Sequence, residues 1–225
     1  MKRISLFVLA VMAAGLGLSA NAAESEENAD VSFDGLHKIE KSRFRDAWAD
    51  PDIDFSRYSK VMPGGAAFQF RAVKEPGSSS TARHDQSGDF WISDADRVKL
   101  TEVTSEIFAE ELAKSKRFEI VHERGDDVLI IQGALLDVVS KVPPDHVGRS
   151  EIYLSSVGEA TLVIEALDSM SEEVIFRAVE RRAAERVGSQ PIKSNNVTTW
   201  SEVRRLIRRW ATTLRKGLDS IPAES

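Results

Sequence analysis

Asp127-Val-Leu-Ile-Ile-Gln-Gly-Ala-Leu-Leu-Asp-Val-Val-Ser140 is the stretch whose reading decides the fold. It is apolar at nearly every position, whichever face is counted, and a strand of that kind is covered on both sides. Two alternating segments follow it. In residues 157–168, Ala160, Leu162, Ile164 and Ala166 alternate with Glu159, Thr161, Val163 and Glu165, the mark of a strand with one buried face. Residues 174–182 repeat the pattern, with Val174, Phe176 and Ala178 on one face and Ile175, Arg177, Val179 and Arg181 on the other. The polar Ser169-Met-Ser-Glu-Glu173 between them predicts a hairpin loop.

Charge proposes the register of that hairpin. Pairing Leu167 with Ile175 sets Glu165 against Arg177, Val163 against Val179 and Thr161 against Arg181. On the other face Ala166 meets Phe176 and Ile164 meets Ala178. Each such cross-strand pair contributes roughly 0.2–1 kcal/mol. A slip of one residue would carry Phe176 onto the face of Glu165 and lose them together.

Two segments have helical spacing. Ser93 is a good N-cap, Asp94 and Asp96 suit the positive end of a helix dipole, and Leu100, Val103, Ile107, Phe108 and Leu112 form an apolar stripe. The spacing predicts a helix over 94–115, with Glu110 and Lys114 paired one turn apart. Nearer the end, Thr199-Trp-Ser-Glu202 reads as a capping box opening a helix over 200–218, which Pro222 terminates. Trp200, Val203, Leu206, Ile207, Trp210, Leu214 and Leu218 line one side of it. At ~25 cal/mol per Å2, burying that stripe on the sheet contributes several kcal/mol.

The N-terminus has the form of a targeting segment. Lys2 and Arg3 precede an apolar run over residues 4–18, and Ala20-Asn21-Ala22 fits small–x–small cleavage. The run is short for a membrane span. We expect a signal peptide over 1–22 cleaved after Ala22, export to the periplasm or exterior, and no transmembrane segment in the mature chain. With no cysteine, disulfides, thiolate metal sites and the lipidated cysteine of a bacterial lipoprotein are excluded together. The formal net charge is −6, and loss of Lys2 and Arg3 lowers it by two more. So acidic a chain is not read as a nucleic-acid binder.

Between these landmarks, residues 23–32 form an acidic, apolar-poor tail expected to be disordered. Residues 33–48 show only weak helical spacing. Asp50-Pro-Asp-Ile-Asp54 reads as a turn, since its alternating aspartates lack the glycine and closing glutamate of a calcium loop. Pro63-Gly-Gly65 reads as a turn between short strands, and the Ser- and Gly-rich stretch within 74–90 as a flexible loop. Residues 118–122 form a short strand, and Glu123-Arg-Gly-Asp126 a hairpin turn into the central strand. Residues 33–221 are thus expected to make one α+β domain.

Candidate chemistry is sparse. His37, His84, His122 and His146 lie in unrelated segments without metal-ligand spacing, and no phosphate-cradling or dinucleotide motif occurs, so no cofactor or metal is assigned. The outward side of the last helix carries Arg204, Arg205, Arg208, Arg209, Arg215 and Lys216, which reads either as an ordinary solvated face or as a site for a membrane surface, an anionic partner or an envelope protein. The long connection 141–156, with His146 and Tyr153, is a second contact candidate. The partner-binding set is therefore Arg204, Arg205, Arg208, Arg209, His146 and Tyr153. Two other readings stay open: a carrier of a small apolar ligand or lipid held between sheet and helices, and a hydrolase using Asp137, His146 and loop residues.

Gly158-Glu-Ala-Thr-Leu-Val-Ile-Glu-Ala-Leu-Asp-Ser-Met-Ser-Glu-Glu-Val-Ile-Phe-Arg-Ala-Val-Glu-Arg-Arg182 resembles a bacterial family known as domain of unknown function 3313. That family has a similar strand, an Asp-Ser turn (here Asp168-Ser169) and a strand ending in an arginine pair (here Arg181-Arg182). The Asp126-Asp127-Val-Leu lead into the central strand and the tryptophan-led helix from Trp200 also fit. The resemblance covers about residues 33–221, and implies a fold without implying catalytic residues. Many members look like envelope lipoproteins; this chain, lacking the cysteine, would be a non-lipidated one. The element order predicts a two-layer α+β sandwich: a mainly antiparallel sheet of about 4–6 strands with two principal helices on one face. The function expected is that of a non-catalytic binding or accessory module of the cell envelope.

Overall fold

The central strand pairs along nearly its whole length on both edges, and the sheet grows outward from it. The computed structural model describes residues 30–74, 88–143, 153–185, 192–193 and 196–223. In chain order the elements are β1 (His37–Lys38), β2 (Asp46–Ala49), β3 (Lys60–Phe70), α1 (Asp94–Leu112), β4 (Glu119–Ile120), β5 (Val128–Ser140), β6 (Tyr153–Leu154), β7 (Ser156–Asp168), β8 (Val174–Glu185), β9 (Ile192–Lys193) and α2 (Asn196–Leu218). Seven strands form one sheet in the order β1-β2-β8-β7-β5-β3-β4, and β6 and β9 form a separate ribbon. The fold is α+β, with a wider sheet than expected. The two additional strands, at one side of the sheet, lie in residues 37–49, where the weak helical spacing of 33–48 gives way to extended chain and Asp46–Ala49 runs antiparallel to β8.

The sheet is mixed. β5 pairs β7 antiparallel and β7 pairs β8 antiparallel, whereas β3 runs parallel to both β5 and β4. Helix α1 lies between β3 and β5 in the chain, the kind of crossover that a parallel pair requires. Since β4 and β5 flank β3 on opposite edges, Glu123–Asp126 belongs to a crossing connection and not to a hairpin turn.

The β7–β8 register agrees with the charge matching from Thr161↔Arg181 through Glu165↔Arg177 to Ala166↔Phe176. At the loop end it departs by one residue, with Leu167 opposite Val174. Ile175 is the extra residue of that bulge. It turns inward and joins the core with Ala178, instead of sharing the outer face with Arg177.

A second bulge corrects the reading of Pro63-Gly-Gly65. β3 is one continuous strand, in which Pro63 is opposite Ile131 and Ala66 is opposite Gly133. A Cβ on Gly64 would stand 3.0 Å from Ile130 Cγ2 and 3.1 Å from the Ile131 carbonyl oxygen, so a larger residue there would push the neighbouring strand away by a few tenths of an ångström. Turn residues and bulge residues are the same chemical types here.

The core joins sheet and helices. Leu129, Ile131, Leu135 and Val138 of β5, with Ala160, Leu162, Ile164 and Ala166 of β7, cluster with Leu112 of α1 and Trp210, Leu214 and Leu218 of α2. Val103 and Ile107 of α1 pack on Ile207 and Ala211 of α2 as a second cluster. Ser93 caps α1 as expected, its Oγ accepting from the Asp96 N–H at 3.1 Å. Lys114 pairs with Glu111 at 2.6 Å, not with Glu110, which reaches across to α2. α2 begins at Asn196, upstream of the predicted capping box. Thr199 is therefore inside the helix, and its buried hydroxyl has no partner among the described residues. Asp50 and Asp54 spend their carboxylates on the N–H groups of Asp52 and Ser56, both at 2.9 Å, which makes the stretch a turn.

No helix among the described residues is long and apolar enough to cross a membrane. The predicted signal peptide, most of the acidic tail and the centre of the 74–90 loop lie outside the described residues.

Candidate functional site

The apolar stripe of α2 fixes which residues face outward. With Trp210, Ala211, Leu214 and Leu218 buried, Arg205, Arg209 and Lys216 are left exposed on the far side. A second segment meets them there. Arg43 sits in the β1–β2 connection next to Phe44, which is 7 % exposed and belongs to the core, and whose N–H is held by Ser42 Oγ at 3.0 Å. Arg43 Cδ lies 4.0 Å from the place where a side chain on Gly217 would begin, alongside the last turn of α2. Together Arg43, Arg205, Arg208, Arg209, Thr212, Thr213 and Lys216 line a groove of about 580 Å3.

The cations of α2 fall into two groups. On the side facing α1, Arg204 meets Glu106 at 3.8 Å and Arg208 meets Glu110 at 3.4 Å. Arg215, although part of the predicted basic face, is mostly buried between Asp219 at 2.9 Å and Glu111 at 3.6 Å. Arg205 is held by Glu202 and by the Glu185 carbonyl. Arg43, Arg209 and Lys216 make no ion pair among the described residues. Three like charges without a counter-ion among the described residues face one groove, in a chain whose formal net charge is −6. Such a groove concentrates anions, and guanidinium forks match the two oxygens of a carboxylate or phosphate.

A separate ionic cluster straps the far end of β5. Asp89 is fully buried and pairs with Arg71 at 2.6 Å and with Lys141. Arg71 also grips Asp137, whose other guanidinium partner is Arg181 at 2.8 Å; Arg181 continues to Glu159 at 2.7 Å. The hydrogen bond from Arg71 is the main cause holding the Asp137 carboxyl below the usual carboxylate range. Asp137 is thus committed to two arginines, the opposite of a carboxylate poised to move a proton. At the other end of the sheet, Asp168 accepts from Tyr58 Oη at 2.8 Å, from Arg57, and from the N–H groups of Met170 and Ser171 at 2.8 and 2.9 Å.

Of the predicted contact residues, the groove brings together Arg205, Arg208 and Arg209, while Arg204 stands on the neighbouring strip against α1. The backbone of Tyr153 pairs with Lys193 in the β6–β9 ribbon, away from the main sheet's hydrogen bonding. His146 lies outside the described residues. Sequence reading missed Arg43, because nothing local in Ser42-Arg43-Phe44 marks an arginine that meets a helix far along the chain. Thr212 and Thr213 were missed as ordinary helix positions.

No curated protein matches the chain. Among solved structures, the PelC dodecamer from Paraburkholderia phytofirmans is similar at 13% identity and a TM-score of 0.36, covering 74% of this chain and 96% of its own. A Xanthomonas campestris protein is similar at 14% identity and a TM-score of 0.37, covering 74% and 86%. A putative neuraminyllactose-binding hemagglutinin homolog from Helicobacter pylori is similar at 10% identity and a TM-score of 0.32, covering 72% and 84%. A family model described as a protein of unknown function, DUF3313, matches residues 26–214, and the chain belongs to that family.

Proposed function

We propose that this chain is a non-catalytic accessory module of the cell envelope, exported by a cleaved leader, which captures an anionic partner in the groove of α2. In this reading both helices lie on one face of the sheet and present the groove away from it. One observation carries the proposal: Arg43, Arg209 and Lys216 converge on a groove and are matched by no carboxylate among the described residues, while the neighbouring arginines of the same helix are each matched by one. An acidic protein repels polyanions as a whole, so binding to one requires such a local site.

The test is retention of the mature chain on immobilised polyglutamate across a salt gradient. Retention at low salt, lost when Arg43, Arg209 and Lys216 are changed to Glu with the helical circular dichroism intact, supports the reading. A chain that passes through unretained, or a triple variant retained as well as its parent, overturns it.

A further inference from the structure

The groove lies beside a worked instance of how α2 is read by another helix. Glu106 and Glu110 of α1, one turn apart, meet Arg204 and Arg208 of α2, also one turn apart. Glu111 then meets Thr212 at 3.3 Å, and Ser115 reaches Asp219 at 2.6 Å. The residue numbers rise together, so the two helices run side by side in the same direction. Their seam is filled by Val103, Ile107, Ile207 and Ala211. Along this strip an acidic helix neutralises the arginines turn for turn.

Beside it runs the groove strip, in which Arg205 is taken up by Glu202 and the Glu185 carbonyl, while Arg209 and Lys216 meet no acidic helix among the described residues. Arg205, Arg209 and Lys216 stand at positions i, i+4 and i+11, about 16 Å of helix at 1.5 Å per residue. Arg43 forms the opposite wall beside Gly217. A single small anion would engage one end of so long a row. A helix carrying carboxylates at i, i+4, i+7 and i+11 presents them along one side at the pitch of the row, and the apolar stems of the arginines give it a surface to rest on.

We infer that the groove docks an acidic helix of a partner protein, running along α2 beside the strip that α1 covers at Arg208 and Thr212, with Arg209, Lys216 and Arg43 as its principal readers. The inference rests on the anionic-partner reading above and names the partner's chemistry. The probe is a fluorescent Ala-based peptide of about 20 residues, long enough to be helical, with Glu at i, i+4, i+7 and i+11. Its controls are a peptide of identical composition with the glutamates distributed around the helix, and a polygalacturonate oligosaccharide. Binding to the full mature chain is followed by anisotropy at low salt.

The patterned peptide is expected to bind at least fivefold more tightly than the scrambled one, and Arg209→Glu with Lys216→Glu to weaken it at least tenfold. A peptide with Lys at the matching positions should then recover binding to that double variant, a result that misfolding cannot produce. Equal binding of patterned and scrambled peptides, or tighter binding of the oligosaccharide, overturns the helix inference and leaves an anion groove standing. No binding of any of the three anions overturns the underlying reading as well.

Discussion

Arg71 grips Asp137 with two guanidinium nitrogens, its Nε donating to Oδ1 at 2.7 Å, at the residue of the central strand whose φ is positive. Asp137 has φ +52° and is part of a bulge, since Leu136 pairs with Thr161 and Val139 with Glu159. A left-handed backbone costs roughly 1–2 kcal/mol for most side chains, least for Asn, Asp and Gly. The bulge turns the carboxylate toward both Arg71 and Arg181, and so converts a backbone irregularity into a link between β3, β5 and β8. The expected order of stability is therefore wild type, then Asp137→Asn, then Asp137→Val. Asn loses the charge but keeps the backbone tolerance and an acceptor oxygen, whereas Val loses the charge, the tolerance and the acceptor together, by about 1–2 kcal/mol relative to Asn. Urea unfolding of the three proteins checks the order; Val as stable as Asn would separate the bulge from its side chain.

Asp168 supplies the pH dependence. Burial alone would raise its pKa, but the Ser171 N–H, the Tyr58 hydroxyl, the Met170 N–H and the Arg57 charge outweigh it and hold the carboxyl at about 2. In the unfolded chain an aspartate titrates near ~3.9. Between these values the unfolded state binds the proton and the native state does not. The contribution is full above about pH 4 and is lost as pH falls through about 2, amounting to about 2 kcal/mol. Tyr58 titrates with the opposite sense. Burial and the bond to Asp168 raise it to about 12, so its contribution is full below about 10 and lost through 12. Stability measured from pH 5 to 2 should fall less steeply in Asp168→Asn than in the parent, by about 2 kcal/mol across the range. Equal slopes would assign the acid sensitivity elsewhere.

The β7–β8 pairing was readable because opposite charges and matched valines mark one register, Glu165 with Arg177 and Val163 with Val179. The slip at Ile175 was not readable. Val174, Ile175 and Phe176 are all apolar, so no polarity shows which of them is the extra residue. Alternation reports a face, while parallel pairing of β3 with β5 is decided by the path through α1, which leaves no trace in either strand. The basic side of α2 was visible, but its division was not. Arg204 and Arg215 face α1 and its glutamates, Arg209 and Lys216 face the groove, and only the position of α1 distinguishes them. Arg43 depends on a contact between distant segments, for which a single sequence has no signal.

Thr199 tests where α2 begins. A Thr-x-x-Glu run before an apolar stripe is the ordinary signature of a capping box, in which the threonine hydroxyl accepts from the N–H three residues on. Replacing a threonine with that role by alanine costs about 1 kcal/mol. In the structure the helix starts at Asn196, the Thr199 hydroxyl is buried without a partner among the described residues, and Glu202 pairs forward with Arg205. Thr199→Ala then removes an unsatisfied buried hydroxyl and places a better helix former in a helix interior, each of which favours the folded state. Thermal unfolding of Thr199→Ala is expected to show stability unchanged or raised by about 0.5–1 kcal/mol. A loss of about 1 kcal/mol would instead return the helix start to Thr199. It would also shorten α2 to the span that its sequence signature predicts, while leaving the groove residues in the helix body where they are.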